Sequence, residues 1–267
     1  MDYPARIVCL TEETTETLYL LGEQRRIVGI SGFTVRPAQA RKEKPKVSAF
    51  TSAKIDKILE LEPDLILGFS NLQADVAAQL IRAGIAVHVF NQRSVEGILR
   101  MISLLGAMVG VTDKAAELAA GYRQQIKTIQ SEATATALPF RPKVYFEEWD
   151  EPMISGIRWV SELIAIAGGV DCFAELSTEQ SAKQRIIADP LEVVRRAPDI
   201  IIGSWCGKKF RHDHVAARAG WDVIPAVKNN QLFEVKSCDI LQPGPAALTD
   251  GLAQIRQIIR QWLEKNA

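Results

Sequence analysis

The sequence lacks the features that would tie it to a membrane, a nucleic acid or a familiar cofactor. No apolar run reaches the ~18 residues a spanning helix needs. Positive charge is not in excess: 32 Lys and Arg stand against 32 Asp and Glu. Polyanions select basic proteins or basic patches, so nucleic acid is not an expected partner. Cysteine is scarce, and Cys9, Cys172, Cys206 and Cys238 form no CxxC pair, which argues against a zinc ribbon or a thioredoxin-like site. There is no GxGxxG, Walker loop, GxSxG or HExxH, so nothing marks a nucleophile or a cofactor cradle. A non-enzymatic protein that requires no cofactor is expected. The N-terminal stretch MDYPARIVCLTEETTE lacks the basic, apolar and small-residue regions of a secretory signal. A cytoplasmic location is therefore expected, with a periplasmic one as the alternative if a signal has been removed.

What the sequence does have is an internal echo. DKILELEPDLILGFSN, from Asp56 to Asn71, returns as LEVVRRAPDIIIGSWC, from Leu191 to Cys206. Each copy reads as a short amphipathic helix, a Pro-Asp corner, an aliphatic strand, a Gly and then small or polar residues. Hydrophobic residues make up 47% of the 267 positions, enough for a packed core in each half.

Strands and helices alternate through the first half, which implies a parallel sheet. Expected strands are 6–10, 26–30, 65–68 and 85–90. Expected helices are 14–21, 52–61 (with Ser52 as its cap) and 72–83, and 33–47 reads as a loop. The middle carries no strand signal. Helices are expected over 95–109 and 114–134, the latter spanning roughly 30 Å. Pro139-Phe140-Arg141-Pro142 marks a boundary. Beyond it come strands at 143–146, 200–203 and 230–236, and helices at 158–167, 191–197 and 246–262. The expected fold class is α/β: two Rossmann-like lobes with parallel sheets, joined by one long helix, with a ligand cleft between the lobes. The expected domains are 1–93, 94–138 and 139–267.

The run ETLYLLG…RIVGIS…SAKIDKILELEPDLILG, a long helix, and then SELIAIAGG…PLEVVRRAPDIIIG resembles the helical-backbone substrate-binding proteins of ABC importers, nearest in flavour to the cobalamin-binding branch. The resemblance covers almost the whole chain. It implies capture of a small-molecule ligand (cobalamin, haem, a ferric siderophore or a metal ion) and an ABC permease as a possible partner. It also implies transporter-docking carboxylates seven residues before each Pro-Asp proline. Asp56 fills the first position, but Leu191 occupies the second, leaving Glu192 as the nearest acid. That departure admits a second expectation, a cytoplasmic carrier of a metal chelate that docks on no permease.

Ligands of α/β sheets bind beyond the strand tips. The candidate ligand-binding residues are therefore Glu12, Glu13, Phe33, Arg36, Phe50, Ser70 and Asn71 in the first half, and Glu148, Trp149, Trp205, Cys206 and Asp239 in the second. Trp149 and Trp205 are read as flat walls for a macrocycle. The run Glu147-Glu148-Trp149-Asp150-Glu151 repels itself unless a cation, arginines or solvent offset it. It is read as a loop, either facing a cationic or metal-bearing ligand with help from Arg36 or Arg158, or simply solvated. Cys206, Cys238, His212 and His214 form a conceivable metal site or a set of idle side chains, and the former leaves a metal-dependent enzyme as a third expectation.

Overall fold

The computed structural model describes residues 3–135 and 141–266. The chain divides into two units. One runs to Gln92 and resumes over Glu96–Gly121; the other takes Arg93–Val95 and Tyr122 onward. Part of the expected boundary, Pro139 and Phe140, lies outside the described residues.

The first unit contains β1 (Ile7–Cys9), α1 (Glu12–Leu20), β2 (Ile27–Ser31), α2 (Ala38–Glu43), β3 (Lys46–Ser48), α3 (Ile55–Glu60), β4 (Leu65–Phe69), α4 (Ala74–Arg82) and β5 (Val87–Phe90). The strands form one sheet in the order β3-β2-β1-β4-β5, parallel throughout. Helices α5 (Val95–Met108) and α6 (Thr112–Ala135) follow. Helix α6 is common to both units, which divide between Gly121 and Tyr122. It is the long connecting helix anticipated from its unbroken polar and apolar pattern.

The second unit holds β6 (Lys143–Asp150), β7 (Met153–Ser155), α7 (Arg158–Ile166), β8 (Val170–Asp171), α8 (Ala174–Ser177), α9 (Leu191–Arg196) and β9 (Ile200–Gly203). Then come α10 (His212–Ala216), α11 (Pro225–Lys228), β10 (Leu232–Glu234), α12 (Ser237–Ile240) and α13 (Leu252–Asn266). The sheet runs β10-β9-β6, with β8 and β7 both pairing with β6. All pairs are parallel except β6–β7. The two α/β lobes are those expected from the alternating pattern.

The repeated Pro-Asp has a structural cause that is the same in both units. Asp64 accepts the backbone N–H groups of Ala5 and Arg6 at 2.7 and 3.0 Å, and its own N–H donates to the Arg6 carbonyl at 2.9 Å. Asp199 accepts the Lys143 N–H at 2.8 Å, and its N–H returns to the Lys143 carbonyl at 2.8 Å. Each Asp thus latches the start of one central strand onto the start of its neighbour. The residue before each proline, Glu62 or Ala197, takes a left-handed φ of 44° or 48° that turns the chain out of the preceding helix. The strands that follow, LILGF and IIIG, are buried along their whole length, as expected of central parallel strands covered on both faces.

Three local expectations are corrected. The basic stretch read as a loop forms α2 and edge strand β3. Ser52 does not cap α3, which starts three residues later, at Ile55, behind Lys54. The acidic run is no loop either: Glu147 to Asp150 continue β6, and Glu151-Pro152 turn the chain into β7.

Candidate functional site

In a sheet of this order the natural crevice opens beyond the ends of β1 and β4, where the strand connections diverge to opposite sides. In the first unit that crevice is filled by Gln73. Its Oε1 accepts the Phe69 N–H at 2.8 Å, and its Nε2 donates to the carbonyls of Phe50 at 2.8 Å and Leu10 at 3.4 Å. A Cβ on Gly68 would meet this amide at 2.9 Å, so the glycine that ends the aliphatic run admits the plug. Sequence reasoning missed Gln73, because a lone Gln after a strand carries no signal.

Around the plug the predicted residues separate into two kinds. Ser70 is fully buried, holds φ at 62°, and caps the next turn by accepting the Leu72 N–H at 3.3 Å. It is a structural hinge, not an open wall. Asn71 is exposed and Phe50 half-buried. Phe33, just past β2, is 59% exposed; Val35, two residues on, is 39% exposed, and Leu72, just past β4, 56%. Arg36 pairs with Glu16 at 3.0 Å.

Glu12 and Glu13 open α1 and are both buried. Burial, followed by repulsion from Glu13 and Glu16, raises the Glu12 carboxyl to about 8, against the pull of Arg41 and Arg36. Burial likewise raises Glu13 to about 7, opposed by the hydrogen bond from Thr11, whose Oγ1 donates to Glu13 Oε1 at 2.7 Å.

The second unit answers the question posed by its acidic run. Glu147 is fully buried within β6, where it forms the last pair with β9, opposite Gly203. It takes a two-pronged ion pair from Arg218 at 2.6 and 2.9 Å, the Trp205 Nε1–H at 3.0 Å and the Tyr145 hydroxyl at 2.8 Å. Glu148 receives a second fork from buried Arg185 at 2.6 and 3.1 Å. Asp150 pairs with Lys208 at 2.6 Å. The offsetting charges therefore come from this unit's own side chains. Arg158, proposed for that task, is engaged instead with Glu162 at 2.9 Å. Arg218 and Arg185 were not anticipated, because sequence spacing does not reveal partners 71 and 37 positions away.

Trp205 is corrected from ligand wall to core residue. Only 5% exposed, it packs edge-on against Phe210 and spends its N–H on Glu147. Phe210 in turn lies where a Cβ on Gly203 would sit. Trp149 is half-buried with its N–H on the Glu151 carbonyl at 2.9 Å, and the Lys208 ammonium stands 4.4 Å from its ring centre. It therefore presents a cation-covered face. Cys206, His212 and His214 are exposed, and Cys238 is half-buried beside Asp239, which also accepts Gln254 at 3.2 Å. Among the described residues no group of three or more His, Cys, Asp or Glu is arranged to hold a metal ion, so the four do not form the conceived Cys/His site.

Asp56 lies exposed in the first turn of α3. Glu192, in the first turn of α9, is bound by Arg195 at 2.7 Å and Arg196 at 2.9 Å, and Leu191 beside it is exposed.

Residues 7–238 match the family described as periplasmic binding protein. The chain is 26% identical over 263 residues to an uncharacterized ABC transporter substrate-binding lipoprotein, YvrC of Bacillus subtilis, covering 96% of this chain and 80% of that one. It is 24% identical over 247 residues to the vitamin B12-binding protein of Vibrio parahaemolyticus, covering 91% of this chain and 85% of that one. In fold it is similar to S. aureus IsdE, solved in complex with heme, with a TM-score of 0.81, 19% identity and coverage of 97% and 99% of the two chains. These relatives are binding proteins by name, not enzymes. They also overturn the expected cytoplasmic location, and with it the cytoplasmic carrier: a periplasmic family and a lipoprotein relative work outside the cytoplasm. The error came from treating the first residues as evidence about compartment, which the start of a sequence does not carry. No helix among the described residues is long and apolar enough to cross a membrane. The chain belongs to the periplasmic binding protein family, as a substrate-binding protein of ABC-type uptake.

Proposed function

We propose that this protein captures cobalamin or a closely related corrinoid outside the cytoplasm and delivers it to an ABC permease. The observation that carries the reading is the apolar tip of the first unit. Phe33, Val35 and Leu72 are large, exposed and located where the sheet's ligand is expected. Burying one such side chain contributes about 1.5–3 kcal/mol, so a broad macrocycle laid on all three gains substantially without a dedicated pocket. The likeness to a vitamin B12-binding protein over nine-tenths of the chain supports the same ligand class.

The permease contact falls at Asp56 in this reading. Glu192 is a poorer docking acid, because its two arginines already neutralise it.

The test is a titration with cobalamin, cobinamide, haem and a ferric chelate, read by quenching of tryptophan emission. Saturable quenching by the corrinoids, weakened about tenfold by Phe33→Ala, is expected. Silence with every ligand, or haem binding more tightly than either corrinoid, overturns the reading.

A further inference from the structure

Polar atoms without partners collect at one place in the first unit. Glu12 Oε2, Glu13 Oε2, Thr34 Oγ1 and Ser48 Oγ have no solvent contact and no hydrogen bond. Glu12, Glu13 and Thr34 are 7%, 1% and 0% exposed. Native interiors rarely leave such groups unmatched, and each one asks for a reason.

Ser48 ends β3, Thr34 lies three residues past the end of β2, and Glu12 and Glu13 open α1 just past β1, so the four follow the ends of three adjacent strands. Ser31 pairs with Ser48 in the sheet, and the Gly32 N–H donates to the Ser48 carbonyl at 2.7 Å. Arg41 ties the next turn down by donating to the carbonyls of Gly32 and Thr34 at 2.9 and 3.3 Å. Its charge also reaches Glu12, as does that of Arg36. Thr11, through its bond to Glu13, fixes one carboxylate oxygen and leaves the other free. The cluster thus combines two carboxylate acceptors with two hydroxyls, each able to donate.

We propose that Glu12, Glu13, Thr34 and Ser48 form a subsite for primary amide groups on the ligand. A primary amide offers two N–H donors and one carbonyl acceptor. The carboxylates take the donors, and the hydroxyls give to the carbonyl. Once Glu12 and Glu13 are ionised, above about pH 8, a ligand bearing carboxylates at the same positions offers acceptors only and brings negative charge against them. The subsite would therefore select an amide-decorated corrin over an acid-decorated macrocycle. This inference rests on the corrinoid reading above and names the chemistry that reading leaves open.

The experiment compares one corrin in two forms, its peripheral side chains either amides or the corresponding carboxylates. Both are titrated against the full chain at about pH 9, where Glu12 and Glu13 are both ionised. The wild type is expected to prefer the amide form by about tenfold or more. Glu12→Gln and Thr34→Val should each narrow that preference, with thermal melting confirming that they fold. Equal affinity of the wild type for the two forms overturns the inference without any variant, as does a preference that survives in both variants. If the wild type binds neither form, the corrinoid reading itself falls, a result distinct from binding both alike.

Discussion

Glu12 shows how the burial of one carboxyl makes stability depend on pH. A carboxyl at an ordinary 4.5 in the unfolded chain and about 8 in the fold keeps its proton where the unfolded chain has lost it. The contribution to stability is complete below about 4.5 and declines as the pH climbs to about 8, beyond which it is flat. Burial is the first cause, and the neighbouring Glu13 and Glu16 add to it. Its size is on the order of 5 kcal/mol, part of it coupled to Glu13. Melting temperature should thus fall from pH 5 to pH 9, and Glu12→Gln should flatten the fall by several degrees. Parallel curves for the two proteins would show that the glutamate is not buried as described. The sequence made Glu12 and Glu13 visible as candidates because they follow the first aliphatic strand. It could not rank Trp205 against Phe33. Both are aromatics just past a strand, and only packing decides that one spends its N–H on Glu147 while the other stays in solvent.

The Pro-Asp corner was the most legible element, since its residues act on their own strand pair through backbone groups. Position along the chain is then enough to define their role. Asp64 should matter somewhat more than Asp199, because it accepts two strand N–H groups where the other accepts one. We expect Asp64→Ala to cost about 2–3 kcal/mol and Asp199→Ala about 1–2, since a hydrogen bond to a charged group contributes roughly that much. Urea midpoints measured for the two variants check the order, and an unchanged midpoint in either would remove the latch. The hairpin of β6 and β7 was illegible for a related reason. A stretch of acids scores poorly as strand, and what makes it one is the supply of Arg218, Arg185 and Lys208 from distant segments. Tertiary charge pairing overrides local propensity there. In α2 and β3, by contrast, the basic stretch holds good helix formers followed by a short edge strand.

For the molecule as a whole, the internal echo made the two units legible, and the family match over residues 7–238 takes in both copies of it. The ligand stayed illegible, because it depends on which side chains at the strand tips are left unmatched, and that is settled by contacts such as Gln73 filling a crevice. What unites the units along the chain is α6, a 24-residue helix about 36 Å long whose only interior glycine, Gly121, lies where they divide. A Cβ built there meets nothing within 4 Å, so no packing requires the glycine. Gly121→Ala should stabilise the protein by about 0.5–1 kcal/mol, by lowering the entropy of the unfolded chain and filling out the helix. If α6 acts as a stiff rod during capture, ligand affinity should stay within about twofold of wild type while the melting temperature rises. A stabilised variant that binds ligand markedly more weakly would mean that the helix must bend at Gly121.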